Sequence, residues 1–379
     1  MTTTPIVQFG TSRFLQAHVD LFVSEALKAG TALGPITVVQ TSGDPERARR
    51  LSTLAAPEGF PVLIRGLEAG RPVECSLRVT SVARAMTTER DMAEIERIVC
   101  REAKILISNT SDAGFRPQPA DAFPVFDQAM SFPAKIGRLL LARYAAGGAP
   151  IQVMPTELVS RNGDTLKALV KTATAAMPKN FRDWVDSQVT FVNSLVDRIV
   201  SAPLEPAGAV AEPYALWAIE DCPSLLLPCR NAAIEVVPSL EEVETRKLFI
   251  LNLGHTYLVD NWLEGGRRGA RFVRELMDDA STRRDLEDLY DLEVLPGFSA
   301  AGQGKAAADY VRVVLDRFAN PFLDHALSDI AQNHEEKLER RIAAFVDWAR
   351  AAGSSASMPR LARILGRASK TAKESAGGL

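Results

Sequence analysis

The chain has 379 residues, 46% of them apolar and 24% charged, the mixture of a globular protein with room for two domains of ordinary size. A formal net charge of −3 offers no basic field to nucleic acid or to an anionic membrane surface. No apolar run approaches the roughly 20 residues that span a bilayer, no basic-then-apolar leader opens the chain, and the four cysteines are scattered, which points to reduced thiols and a cytoplasmic location.

Residues 5–9 form a short β-like run that meets Gly10, and 13–29 follow with helical periodicity. A second run, 36–40, leads through the turn at 41–45 into a helix over 46–54. Strands are predicted over 61–65 and 73–82, a helix over 92–101, a buried strand over 105–107, a helix over 133–146 and another buried strand over 151–154. This alternation calls for a parallel sheet with helices on both faces. The expected fold class is therefore α/β: an N-terminal Rossmann-type doubly wound sheet domain over 1–195, then a mainly α-helical C-terminal domain over 196–379. Extended patterns at 196–200, 214–219 and 232–237 leave room for 196–238 to pack on the first domain. Helices are predicted over 241–262, 271–276, 282–292, 304–318, 323–331 and 334–352, and 370–379 reads as a solvated, disordered tail.

Gly10 stands where a dinucleotide fold makes its tight turn and lets a pyrophosphate approach the next helix. The run Gly10-Thr11-Ser12-Arg13 has a serine where that fingerprint wants a second glycine, so by itself it describes a plain strand–turn–helix equally well. The second strand ends Val39-Gln40-Thr41-Ser42, with no acid before Asp44, which leaves NAD and NADP both open.

Beyond Arg246, the run to Thr256 is apolar except for Lys247, Asn252, His255 and Thr256. On an α-helix, at about 100° per residue, Asn252 and His255 lie within about 60° of each other and Lys247 falls on the same half. Buried polar groups need partners, and a bound substrate is one. A snorkelling lysine beside an Asn and a His that cap or satisfy core groups explains the run about equally well. Ketone reduction needs a proton donor for the developing alkoxide. A lysine ammonium, ordinarily near 10.4 and lower when desolvated, can be that donor. An asparagine amide can donate to the oxyanion. Asn162, past the strand at 151–154, could reach such a site, although an Asn-Gly pair is more often a turn. Arg317, ahead of Asn320-Pro321, reads alone as a surface arginine at a helix end. No HExxH, Cys/His ligand cluster or GxSxG elbow occurs, which speaks against metal and serine hydrolysis.

Taken together, these motifs resemble the polyol-specific long-chain dehydrogenase/reductase family, which includes the mannitol dehydrogenases and the hexuronate reductases, with the nearer likeness to the latter. The likeness rests on the spacing of Lys247, Asn252 and His255; on Val7-Gln8-Phe9-Gly10 with Arg13-Phe14-Leu15; on Ser108-Asn109-Thr110; on Glu157-Leu158 with Asn162-Gly163-Asp164; on Leu195-Val196-Asp197-Arg198; and on Arg317-Phe318 with Asn320-Pro321. The resemblance implies a site in the cleft between a Rossmann-type and a helical domain. It implies a metal-independent reaction with NAD, NADP not being excluded, on a small-molecule sugar acid of the tagaturonate/altronate kind. A polyol or polyol phosphate is the alternative substrate, and the protein would be a monomer or small homo-oligomer. Lys247 would be the general acid/base, Asn252 and Asn162 would polarise the carbonyl, and His255 and Arg317 would bind substrate with Asp197 close by. Asn109 and Thr110 would lie near the nicotinamide, and Gly10, Thr11, Ser12 and Arg13 would border the pyrophosphate. Ser12 and the Leu253-Gly254 pair before His255 depart from the family pattern.

Overall fold

The computed structural model describes residues 2–110 and 112–376. Its strands are β1 (Ile6–Phe9), β2 (Ile36–Gln40), β3 (Phe60–Glu68), β4 (Arg71–Val79), β5 (Val82–Thr87), β6 (Ile105–Ser108), β7 (Ile151–Pro155), β8 (Val189–Phe191), β9 (Ser194–Asp197), β10 (Val200–Pro203), β11 (Ala209–Ala211), β12 (Leu216–Glu220) and β13 (Ile234–Val237). Every residue of β1, β2, β6 and β7 is buried, as strands covered by helices on both faces require. They form the middle of a six-stranded sheet ordered β5-β2-β1-β6-β7-β8. All its pairings are parallel, with Ile6 opposite both Ile36 and Ile105. Counted along the chain this is the doubly wound order 3-2-1-4-5-6, whose direction reverses between β1 and β6.

The predicted strand over 73–82 is two strands, β4 and β5, broken at Thr80-Ser81. The helix Val19–Lys28 fixes the break: Ser24 Oγ accepts from Thr80 N at 2.9 Å, and Ser81 Oγ donates to the backbone Asp20 O at 2.7 Å. The predicted helix over 13–29 is likewise two, Arg13–Ala17 and Val19–Lys28, parted at His18. The His18 ring is wholly buried among Phe14, Phe22 and Trp217, with Nε2 3.0 Å from Leu216 O. Desolvation pulls its pKa down to about 3. A folded value below the unfolded one of about 6.5 means that the stability held by a neutral His18 is present above pH 6.5 and is lost as pH falls toward 3. Ring ¹⁵N NMR should accordingly show His18 neutral, with its proton on Nε2, down to pH 5. A titration above pH 6 would contradict the burial argument.

The chain divides into two compact units. The first comprises Met1–Ile64 and Glu74–Leu240, so the segment 196–238 counts with the dinucleotide-type sheet and not with the helices. It carries the two smaller sheets, β10-β11-β3-β4 and β13-β12-β9. The second unit is Glu241–Leu379 together with Arg65–Val73, the tip of the β3–β4 hairpin. Within that unit Asp316 accepts from Gly70 N at 3.1 Å, and the Arg65 guanidinium lies 4.2 Å from the centre of the Phe322 ring.

The second unit is helical around a core that includes Phe249, Phe298 and Phe345, with Trp348 packed against it. Three of its predicted helices are interrupted by π turns, at Lys247–Asn252, Tyr290–Val294 and Leu338–Ala343. The predicted helix over 323–331 shrinks to Leu327–Ile330, because Ala326 is drawn into a bridge with Phe272. The expected tail is corrected as well: Pro359–Ala376 is a helix, and only 377–379 of the tail lie outside the described residues. Leu361 and Ile364, three apart, bury completely in the core. The buried Glu293 carboxylate accepts from Arg360 N at 3.0 Å and Leu361 N at 3.1 Å, satisfying donors of the first turn. Among the described residues no helix is long and apolar enough to cross a membrane.

Candidate active site

In the first unit the carboxyl ends of β1 and β6 open on a cavity of about 660 Å³, within the range of roughly 300–1,000 Å³ usual for ligand pockets. Gly10 ends β1 at φ +125°, and a Cβ there would sit 2.7 Å from Asn109 O, so only glycine permits this approach. Ser12, in place of the second glycine, caps the next helix by accepting from Leu15 N at 3.2 Å and donates to Asn109 Oδ1 at 2.8 Å. Asn109 is held from the other side by Nδ2 donating to Thr156 O at 3.0 Å. Gly10, Thr11, Ser12, Asn109 and Thr110 all line the cavity.

Two features of this cavity escaped the sequence. The first is Glu157, buried just past β7, whose carboxylate accepts from Ser108 Oγ, Thr110 N and Thr110 Oγ1 at 2.8–3.1 Å. Burial raises its pKa, against those donors. It fixes the loop that carries Asn109 and Thr110. The second is charge: Arg47, Arg50 and Lys135 line the cavity, and among the described residues no acid does. Lys135 is buried and donates to Thr41 O at 3.0 Å. A lining of cations, amides and hydroxyls beside a close-approach glycine fits the pyrophosphate of a dinucleotide.

Two expectations for the first unit are corrected. Arg13 does not border the cavity. Its guanidinium donates to Leu204 O at 2.8 Å, Gly208 O at 3.0 Å and Glu205 Oε1 at 2.6 Å, folding over the 204–208 loop. Asn162 offers no amide to a substrate. Its Nδ2 lies 2.9–3.1 Å from Pro155 O, Glu157 O and Ser194 O, and its Oδ1 accepts from Gly163 N and Ser194 N. Every hydrogen-bonding site of that side chain is spent on backbone, so Asn162 clamps the β7 exit to β9. Asp197 is buried at the end of β9, opposite Leu216.

In the second unit the Lys247 stretch is the π turn. On an α-helix residues 247 and 252 would point about 140° apart. A π turn closes i to i+5, which stacks Lys247 and Asn252 one turn above the other on one face. Lys247 is half-buried. Asn252 is half-buried too; its backbone oxygen accepts from Thr256 Oγ1 and Arg341, and its side-chain amide makes no hydrogen bond among the described residues. His255 is buried against Phe318 and His325, with ring centres 4.3 and 4.7 Å away. Desolvation first, then the charges of His325, Arg317, Arg341 and Lys337, lower its pKa well below the usual value, so it is neutral near pH 7. Arg317 is itself buried, not on the surface. Sequence reasoning missed His325, Lys337 and Arg341, whose periodicity carries no mark of a shared site.

Among the described residues no three His, Cys, Asp or Glu side chains gather as a metal site would need. Two family models match the chain: the mannitol dehydrogenase Rossmann domain over 4–226 and the mannitol dehydrogenase C-terminal domain over 239–368. Altronate oxidoreductase of Yersinia pestis is 31% identical over 365 residues, 89% of this chain and 73% of that protein. Altronate oxidoreductase of Bacillus subtilis (strain 168) is 29% identical over 362 residues, with the same coverage. Two solved structures share the fold: D-sorbitol dehydrogenase in substrate-free form, at TM-score 0.80 and 19% identity, covering 96% of this chain and 79% of that one; and Pseudomonas fluorescens mannitol 2-dehydrogenase in ternary complex with NAD and D-mannitol, at 0.71 and 20%, covering 96% and 78%.

Proposed function

The chain belongs to the mannitol dehydrogenase family, and from that premise we propose that it is an NAD(P)-dependent, metal-independent oxidoreductase that interconverts a keto-sugar acid of the tagaturonate/altronate kind with its hydroxy acid. The altronate oxidoreductases among its relatives and the NAD in the mannitol 2-dehydrogenase complex support the class. Four unbridged cysteines suit a cytoplasmic location.

When bound, the nicotinamide supplies or accepts the hydride. Lys247 gives a proton to the carbonyl oxygen as its carbon is reduced and takes it back in the reverse direction. The unengaged Asn252 amide donates to the same oxygen. Neutral His255 holds a neighbouring hydroxyl, and Arg317 pairs with the carboxylate. Gly10, Thr11 and Ser12 hold the pyrophosphate.

The charge felt by His255 carries the acid over the neutral polyol: Arg317, Arg341 and Lys337 all act to lower the pKa of this buried ring, a field that favours an anion. Loss of a buried charge pair costs about 2 kcal/mol or more, about 30-fold in binding. In steady-state assays, kcat/KM for tagaturonate should therefore exceed that for fructose by at least that factor. Equal values, or a preference for the neutral ketose, would shift the reading to a mannitol-type enzyme.

A further inference from the structure

The dinucleotide cavity has a second end, past the carboxyl terminus of β2, where a doubly wound fold places the adenosine ribose. An enzyme restricted to the unphosphorylated dinucleotide sets an acid there for the two ribose hydroxyls. Here β2 ends at Gln40, and that side chain is turned into its own loop, Nε2 donating to Ser42 O and Asp44 O, both at 2.7 Å. Asp44, the next acid, does not line the cavity. Its carboxylate accepts from Glu46 N at 2.9 Å and pairs with Arg47 Nε at 3.2 Å. What does line this end is Ser42, Gly43, Arg47 and Arg50. Arg50 is half-buried, and among the described residues its guanidinium has no hydrogen-bond or ion-pair partner. The loop is not free to rearrange cheaply, because Gln128 Nε2 and Lys135 Nζ both donate to Thr41 O, at 2.6 and 3.0 Å.

We propose that this end of the cavity is built to hold the 2′-phosphate of NADP(H), with Arg47 and Arg50 as its ligands and Ser42 as a further donor, so that the enzyme takes the phosphorylated dinucleotide at least as well as NAD(H). Two guanidinium groups, with no acid lining the cavity among the described residues, suit a phosphate dianion, which a planar fork meets with paired N–H donors. Among the described residues, those lining this end give a ribose 2′-hydroxyl no carboxylate to donate to. This inference rests on the dehydrogenase reading and extends it.

The test is fluorescence titration of the purified full chain with NADPH and with NADH, repeated on the variant carrying R47A and R50A. A charge-assisted bond contributes about 1.5–3 kcal/mol, so the paired substitution should weaken NADPH at least about tenfold more than it weakens NADH. The wild-type Kd for NADPH is expected to be no higher than that for NADH. A higher Kd for NADPH, or equal weakening of both cofactors in the variant, overturns the proposal and leaves the dehydrogenase reading standing. Binding of neither cofactor to the wild type overturns both.

Discussion

Lys247→Met is expected to lower kcat for carbonyl reduction by about 10²–10⁴-fold, the share of a barrier that a positioned proton donor removes. Methionine keeps the length and the apolar stem while losing the ammonium, so packing along the π turn survives. The cofactor cavity is lined by residues of the first unit alone, so fluorescence titration should still show cofactor binding, and the melting temperature should stay near that of the parent. Stopped-flow turnover at saturating substrate gives the rate directly. Near-parental kcat would remove Lys247 from the proton-transfer role, whatever its place on the helix.

The second large effect is on the scaffold that holds this lysine. Gly254 packs so closely that an added Cβ would lie 1.9 Å from Tyr290 Oη and 3.0 Å from Phe318 Cε2. Tyr290 is wholly buried and donates to Ile250 O at 2.9 Å, inside the π turn itself. Gly254→Ala must therefore push the phenol off its acceptor. Overpacking costs about 1–3 kcal/mol and the lost buried hydrogen bond about 1 kcal/mol more. At about 2–4 °C per kcal/mol, the melting temperature should fall by roughly 5–15 °C. The Leu253-Gly254 pair thus follows a steric demand: the glycine lets a buried tyrosine brace the turn between Lys247 and Asn252. Adding Tyr290→Phe to Gly254→Ala should recover part of the loss. An unchanged melting temperature in Gly254→Ala would contradict this packing.

How legible these features were follows from where their causes lie along the chain. β1, β2, β6 and β7 could be read because each is a short, wholly buried run bounded by turn residues. Lys247, Asn252 and His255 stood out as polar residues in an apolar stretch. Their relative orientation did not, because a π turn leaves no periodic trace and the 100° rule misplaces Asn252 relative to Lys247. The family resemblance puts Arg13 beside the pyrophosphate, but the loop that takes its guanidinium lies some 190 residues further on. Asn162 carried the right chemistry for a carbonyl donor, yet strand ends at Pro155 and Ser194 consume it. The last helix looked like a tail because the carboxylate that caps it, Glu293, is 67 residues upstream of Arg360. Local propensity reports on neighbours in sequence; these features were decided by neighbours in space.

The measurement closest to the heart of the account is the fate of the hydrogen on the nicotinamide. With cofactor deuterated at the transferring C4 position, tagaturonate as substrate and a metal chelator in excess, the product should carry one deuterium on the carbinol carbon, at the same rate as without the chelator. A product bearing solvent hydrogen at that carbon, or no product once the chelator is present, would contradict it.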